Sequence, residues 1–100
     1  MTATLAPPTR QALRVDWQAF ADLRALGLTV TVVEPADLGG CTVCAPDPIP
    51  LPAQAVVVYR TSGGVVYREP VDVDCARHLV GVLHRTRLVV VGAELPAVAA

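Results

Sequence analysis

Among its one hundred residues the sequence has no lysine, only four aromatic side chains and no long apolar run, the stretch 55–59 being one of the longest. A membrane-spanning helix needs roughly 18 consecutive apolar residues, so that class is excluded. Charge is scarce as well. Eight arginines against nine acids leave a formal net charge of -1, which argues against a protein that coats nucleic acid by charge alone. Residues 1–8 carry no basic region and no long apolar segment, so they do not read as an export signal, and a cytoplasmic location is expected. The missing lysine beside abundant Ala, Val, Pro and Arg points to GC-rich coding, hence to a bacterium or its phage.

What the chain does have is apolar residues, 53% of the total. That fraction is too high, and the net charge too low, for a disordered chain. One compact domain is the expectation at this length. So few charges leave more hydrophobic surface than a small monomer buries, which suggests a protein partner or a homo-oligomer.

Residues 1–8 read as a flexible N-terminal arm, and 9–96 as a single domain. Thr9 can cap a helix beginning at Arg10, or Asp16 can cap a shorter one. Leu13, Trp17, Phe20, Ala21 and Arg24 fall on one helical face, widened by Leu23 and Leu26, and Gly27 ends the helix. Residues 28–33 alternate and are rich in β-branched side chains, so they read as a strand. Prolines at 46, 48, 50 and 52 favour extended, polyproline-like backbone and read as a stiff surface connector. Strands at 55–60 and 65–69 flank Thr61-Ser62-Gly63-Gly64, a hairpin signal. A two-residue turn at Ser62-Gly63 would set Tyr59 opposite Val66 and Val58 opposite Tyr67. Asp72 or Asp74 can cap a helix of about 74–86 whose Leu79, Val82 and Leu83 share a face with Cys75. Gly81 in mid-helix suggests close packing against another element. A last strand reads over 87–91, stopped by Gly92 and Pro96, and it and 28–33 are expected to extend one sheet. The class expected is α+β.

Three cysteines are an odd number, which fits a disulfide framework poorly, and in a reducing compartment thiols stay free or bind metal. Cys41-x-x-Cys44 and Cys75-x-x-His78 are two short ligand pairs thirty residues apart. Two ligands at this spacing can reach one metal from a tight turn, here after the flexible Gly39-Gly40. Cys75 and His78 are i and i+3 in the first turn of the expected helix, on one face. Three thiolates and an imidazole are a standard structural shell for Zn2+. The helix N-terminus is expected to lower the Cys75 pKa. The bland readings are small buried cysteines and a surface histidine. A redox Cys pair normally opens a helix, which the prolines after Cys44 forbid. His84, six residues past His78, faces away from the proposed metal.

A knuckle, a hairpin and a helix whose first turn supplies the last two ligands is the order of a treble-clef zinc finger. From Gly39 to about Arg85 the sequence resembles that fold group through Cys41, Cys44, Cys75, His78 and the hairpin between them. The resemblance implies a finger over 39–86 holding a structural Zn2+, and little about function. The proline-rich stretch is longer than a compact finger needs. A zinc ribbon is the nearest alternative, but its second ligand pair lies in a hairpin turn.

Catalysis is not expected. Four good ligands close the zinc site, whereas catalytic zinc keeps an open position. The deaminase pattern lacks its upstream His- or Cys-x-Glu. The hairpin holds no histidine for a nuclease of the HNH type, and no phosphate-binding glycine loop is present. The first function expected is therefore a small structural-zinc module mediating protein–protein interaction or assembly. The alternative is a zinc finger that contacts nucleic acid through Arg60, Arg68, Arg77 and Arg85. Residues 55–100 carry a balance of +1 against -2 for residues 1–54, an asymmetry of the right sign but small.

Overall fold

Valine-rich segments, stiff at χ1 and suited to a pleated surface, set the sheet. Strands β2 (Val30–Val33), β3 (Ala55–Arg60), β4 (Val66–Val71) and β5 (Val89–Pro96) form one mixed sheet in the order β2-β5-β3-β4. β3 pairs antiparallel with β4 and β5, while β2 runs parallel to β5. Short strands β1 (Leu13–Arg14) and β6 (Val98–Ala99) make a second antiparallel pair. Helices α1 (Trp17–Ala25) and α2 (Val73–Arg85) touch each other and β5. This is the α+β class expected, with both flanking strands in the hairpin's own sheet. The computed structural model describes residues 13–44, 49 and 51–99. The arm expected over 1–8, the helix start expected at Thr9 or Arg10, and Pro46, Pro48 and Pro50 lie outside them.

The core lies between the helices and one sheet face. Ala55 and Val57 of β3, Val71 of β4 and Ala93 and Leu95 of β5 pack with Ala19 and Leu23 of α1 and Ala76, Val80 and Leu83 of α2. Burying each of the larger side chains contributes about 1.5–3 kcal/mol. On the other face Val56 and Val58 are also buried, although both described helices pack on the opposite one. Arg68 pairs in register with Val58, and Glu94 with Val56. The Arg68–Glu94 ion pair therefore crosses over β3 on the face that carries these two valines.

Both helices end in the same way. After α1, the amide of Gly27 donates to Arg24 O and that of Leu28 to Leu23 O, with Gly27 at φ +85°. After α2, Arg87 and Leu88 donate to His84 O and Leu83 O, with Arg87 at φ +62°. These are two Schellman closures, one on glycine and one on a residue whose Cβ resists the left-handed region. Arg87→Gly is expected to stabilise the protein by about 0.5–1 kcal/mol, read as a higher urea midpoint with unchanged slope.

Several expectations are corrected. The buried face of α1 is Ala19 and Leu23. Leu13 belongs to β1 and Trp17 is exposed, because Asp16 caps a nine-residue helix and the closure at Gly27 folds Leu28 onto Leu23. The hairpin register is Tyr59 opposite Tyr67 and Arg60 opposite Val66. Its loop has three residues, Ser62 to Gly64. Gly64 at φ +87° donates to Thr61 O, so the strands meet one residue later than a two-residue turn would set them. Among the described residues Gly81 has only the tip of Arg85 near the place a Cβ would occupy, so no packed element there explains it. β5 runs through Gly92 to Pro96 instead of stopping at Val91. Gly92 lets the chain pass Thr29 O closely, and Pro96 sits beyond the last β3 partner of β5, where no donor is needed.

Candidate metal centre

The loop after β2 is held in place before any ligand is considered. Gly39, at φ +73°, donates to Asp37 Oδ1, a local turn that a glycine permits. From there 39–41 runs antiparallel to 51–53: Cys41 N donates to Leu51 O at 2.8 Å and Ala53 N to Gly39 O at 2.8 Å. Thr42 N reaches Pro70 O, and its hydroxyl donates toward Glu69 Oε2 at 2.9 Å. The knuckle therefore sits over the end of β4, where the chain turns into α2.

That turn is built by Asp72, which caps α2 by accepting the Cys75 amide on Oδ1 at 2.9 Å. Gln54 Oε1 accepts the Val73 amide, so a second free donor of the helix is satisfied from β3's side. The second carboxylate oxygen, Asp72 Oδ2, is 3.3 Å from Cys44 Sγ, and Cys44 Sγ is 3.2 Å from Cys75 Sγ. One ligand atom from each of Cys41, Cys44, Asp72 and Cys75 lies within 4.8 Å of all the others. Cys41 and Asp72 are buried, while Cys44 and Cys75 are half-buried.

This cluster can bind a metal ion. A zinc tetrahedron with Zn–S of about 2.3 Å has edges of roughly 3.8 Å, within the spread of these separations. Its electrostatics suit a cation. Burial works against charge on Asp72, yet the Cys75 amide and the thiols of Cys75, Cys41 and Cys44 donate to it and hold its pKa at about 2. Among the described residues the one ion pair is Arg68–Glu94, so this buried carboxylate has no cationic side chain beside it. The Cys75 thiol is pushed up by its contact with Cys44, then by Asp72 and by burial. Cys44 is also raised: contact with Cys75 favours its thiolate, but Asp72 and burial outweigh this. The sequence expectation that the helix N-terminus lowers Cys75 is reversed by the contact with Cys44 first, and then by the Asp72 carboxylate over that same terminus. A bound cation supplies the charge that deprotonates such thiols.

Of the four ligands read from the sequence, Cys41, Cys44 and Cys75 are brought together, and His78 lies exposed on α2 outside the cluster. The reason is directional. Helical side chains lean toward the N-terminus, so Cys75 turns to the Asp72 cap while His78 stands one turn further along. From the sequence Asp72 reads only as a cap. The signal available was its own spacing, Asp72-x-x-Cys75, the same as Cys41-x-x-Cys44. His84 is exposed, as expected.

The four arginines do not form one patch. Arg60 and Arg68 share the sheet face opposite the helices, where Arg68 is engaged by Glu94, whereas Arg77 and Arg85 are exposed on α2. Among the described residues no helix is long and apolar enough to cross a membrane. Comparison of the chain with protein-family models, with curated proteins and with solved structures finds no match in any of the three.

Proposed function

We propose that this chain is a small, non-catalytic module whose fold is completed by one structural Zn2+ held by Cys41, Cys44, Cys75 and the Asp72 carboxylate. The observation that carries the reading is the convergence of three thiols on a buried carboxylate that, among the described residues, no cationic side chain pairs with. Three soft ligands favour zinc over magnesium or calcium. Four ligands leave no open position, which supports a structural role over a catalytic one. The order of knuckle, hairpin and helix supports a treble-clef-like arrangement, with the hairpin merged into a larger sheet. A free-thiol cluster fits a reducing cytoplasm, and the lysine-free composition fits a bacterial or phage source. Exposed Val65, Val66, Val89 and Val91 near the hairpin end of the sheet support a role in protein–protein contact or assembly.

The ligand set is tested by replacing the metal with Co2+, whose visible bands report thiolate and tetrahedral coordination. Asp72→Ala is expected to weaken Co2+ binding by about 10–100-fold or more, as loss of an inner or supporting ligand does. His78→Ala is expected to leave affinity and spectrum unchanged. The opposite pattern would restore His78 as the fourth ligand and leave Asp72 as a cap.

A further inference from the structure

The two half-buried thiols of the cluster are in direct contact, with Cys44 Sγ and Cys75 Sγ at 3.2 Å. They come from different elements, the knuckle and the first turn of α2, and are 31 residues apart in sequence. Cys41 differs from both. It is 1% exposed, packed in the core, with its amide fixed to Leu51 O. An oxidant arriving from solvent therefore meets Cys44 and Cys75 first. Once one of them is oxidised, the sulfur best placed to complete a disulfide belongs to the other.

We propose that Cys44 and Cys75 form a redox-sensitive pair that a peroxide converts to a disulfide, releasing the metal. The inference rests on the metal reading given above. In the first step one thiolate attacks a peroxide oxygen. The O–O bond breaks, and with a proton taken up the products are a sulfenic acid and water. In the second step the other thiolate attacks the sulfenic sulfur, the S–O bond breaks, and the hydroxyl leaves as water with a second proton. Two thiolates, one hydrogen peroxide and two protons give one disulfide and two waters. The sulfurs close from 3.2 Å to the roughly 2.05 Å of a disulfide. The metal is left with Cys41 and Asp72, two ligands where a stable site needs four. Thiol reductant reverses the reaction and restores the site.

Peptide mapping reads this directly in the unaltered chain. Cleavage after arginine places Cys41 and Cys44 together in residues 25–60 and Cys75 alone in residues 69–77. Metal content is measured first, then the protein is treated with hydrogen peroxide, its remaining thiols are alkylated, and it is digested without reduction. The expected product is 25–60 joined to 69–77 through Cys44, with the alkyl group on Cys41. One equivalent of metal should be freed per disulfide and rebound after dithiothreitol. Cys44→Ser is expected to abolish the cross-link, and fragmentation of the linked peptides places the bond without any variant. A Cys41–Cys44 loop, a Cys41–Cys75 bond, a bond between two chains, or a disulfide formed with the metal retained would overturn the inference. A protein that carries no metal before peroxide is added fails the metal reading instead, at a separate step of the same experiment.

Discussion

Cys75→Ser is expected to lower the melting temperature by at least about 12–24 °C, equivalent to about 3 kcal/mol or more in a domain of this size. Cys75 is the joint between the knuckle and α2: its amide holds the Asp72 cap and its sulfur meets Cys44. Serine keeps the amide and the size of the side chain but removes the soft ligand. What is lost is therefore metal binding rather than packing. Structural zinc contributes of order 10 kcal/mol in small metal-binding peptides, so a chain with its own core keeps part of its stability and loses the rest. A strong chelator should lower the wild-type melting temperature to near that of Cys75→Ser and change the variant little. Equal melting of wild type and variant, with and without chelator, would mean the thiols are ordinary core residues.

The second large effect is expected at Gly92. A Cβ built there lies 2.6 Å from the backbone oxygen of Thr29. That oxygen cannot move aside freely, because it accepts the Ala93 amide at 2.9 Å and starts the β2–β5 pairing. Gly92 also follows the bulge at which the register steps from Val58–Gly92 to Tyr59–Val90 and leaves Val91 unpaired. Gly92→Ala should therefore force β2 away from β5 at a cost of about 3 kcal/mol, the upper range for overpacking. Loss of amide-exchange protection should be greatest in Val30–Val33, and the metal site, at the other end of the ladder, should still bind. Gly81→Ala is the matched control. The nearest atom to its Cβ is the flexible tip of Arg85 at 3.4 Å, and the change should stabilise α2 by about 0.5–1 kcal/mol.

Local chemistry made much of the fold legible in the sequence. Asp16, Gly27 and Asp72 act where their cap and closure signals place them, and the β-branched runs at 30–33 and 55–60 are strands. The misreadings at Gly92 and Asp72 share a cause, which is that the deciding partner is distant in sequence. Gly92 looks like a strand stop until Thr29, 63 residues earlier, is seen against it. In the site, Cys41 and Cys44 are legible from their local spacing, whereas the pair read for Cys75 is His78, which lies outside the cluster. Asp72 was visible as a cap, but its second oxygen acquires a role only when Cys44 is brought from 28 residues away. The hairpin register failed for a different reason, a three-residue loop mistaken for a two-residue turn.

If Cys41, Cys44, Asp72 and Cys75 hold one metal ion, the purified protein carries it in stoichiometric amount. Elemental analysis of protein purified without added metal or chelator tests it most directly. One zinc per chain is expected, reduced to near zero in Cys75→Ser and after denaturation in chelator. Metal-free protein that folds, melts cooperatively and takes up no Zn2+ or Co2+ would contradict it.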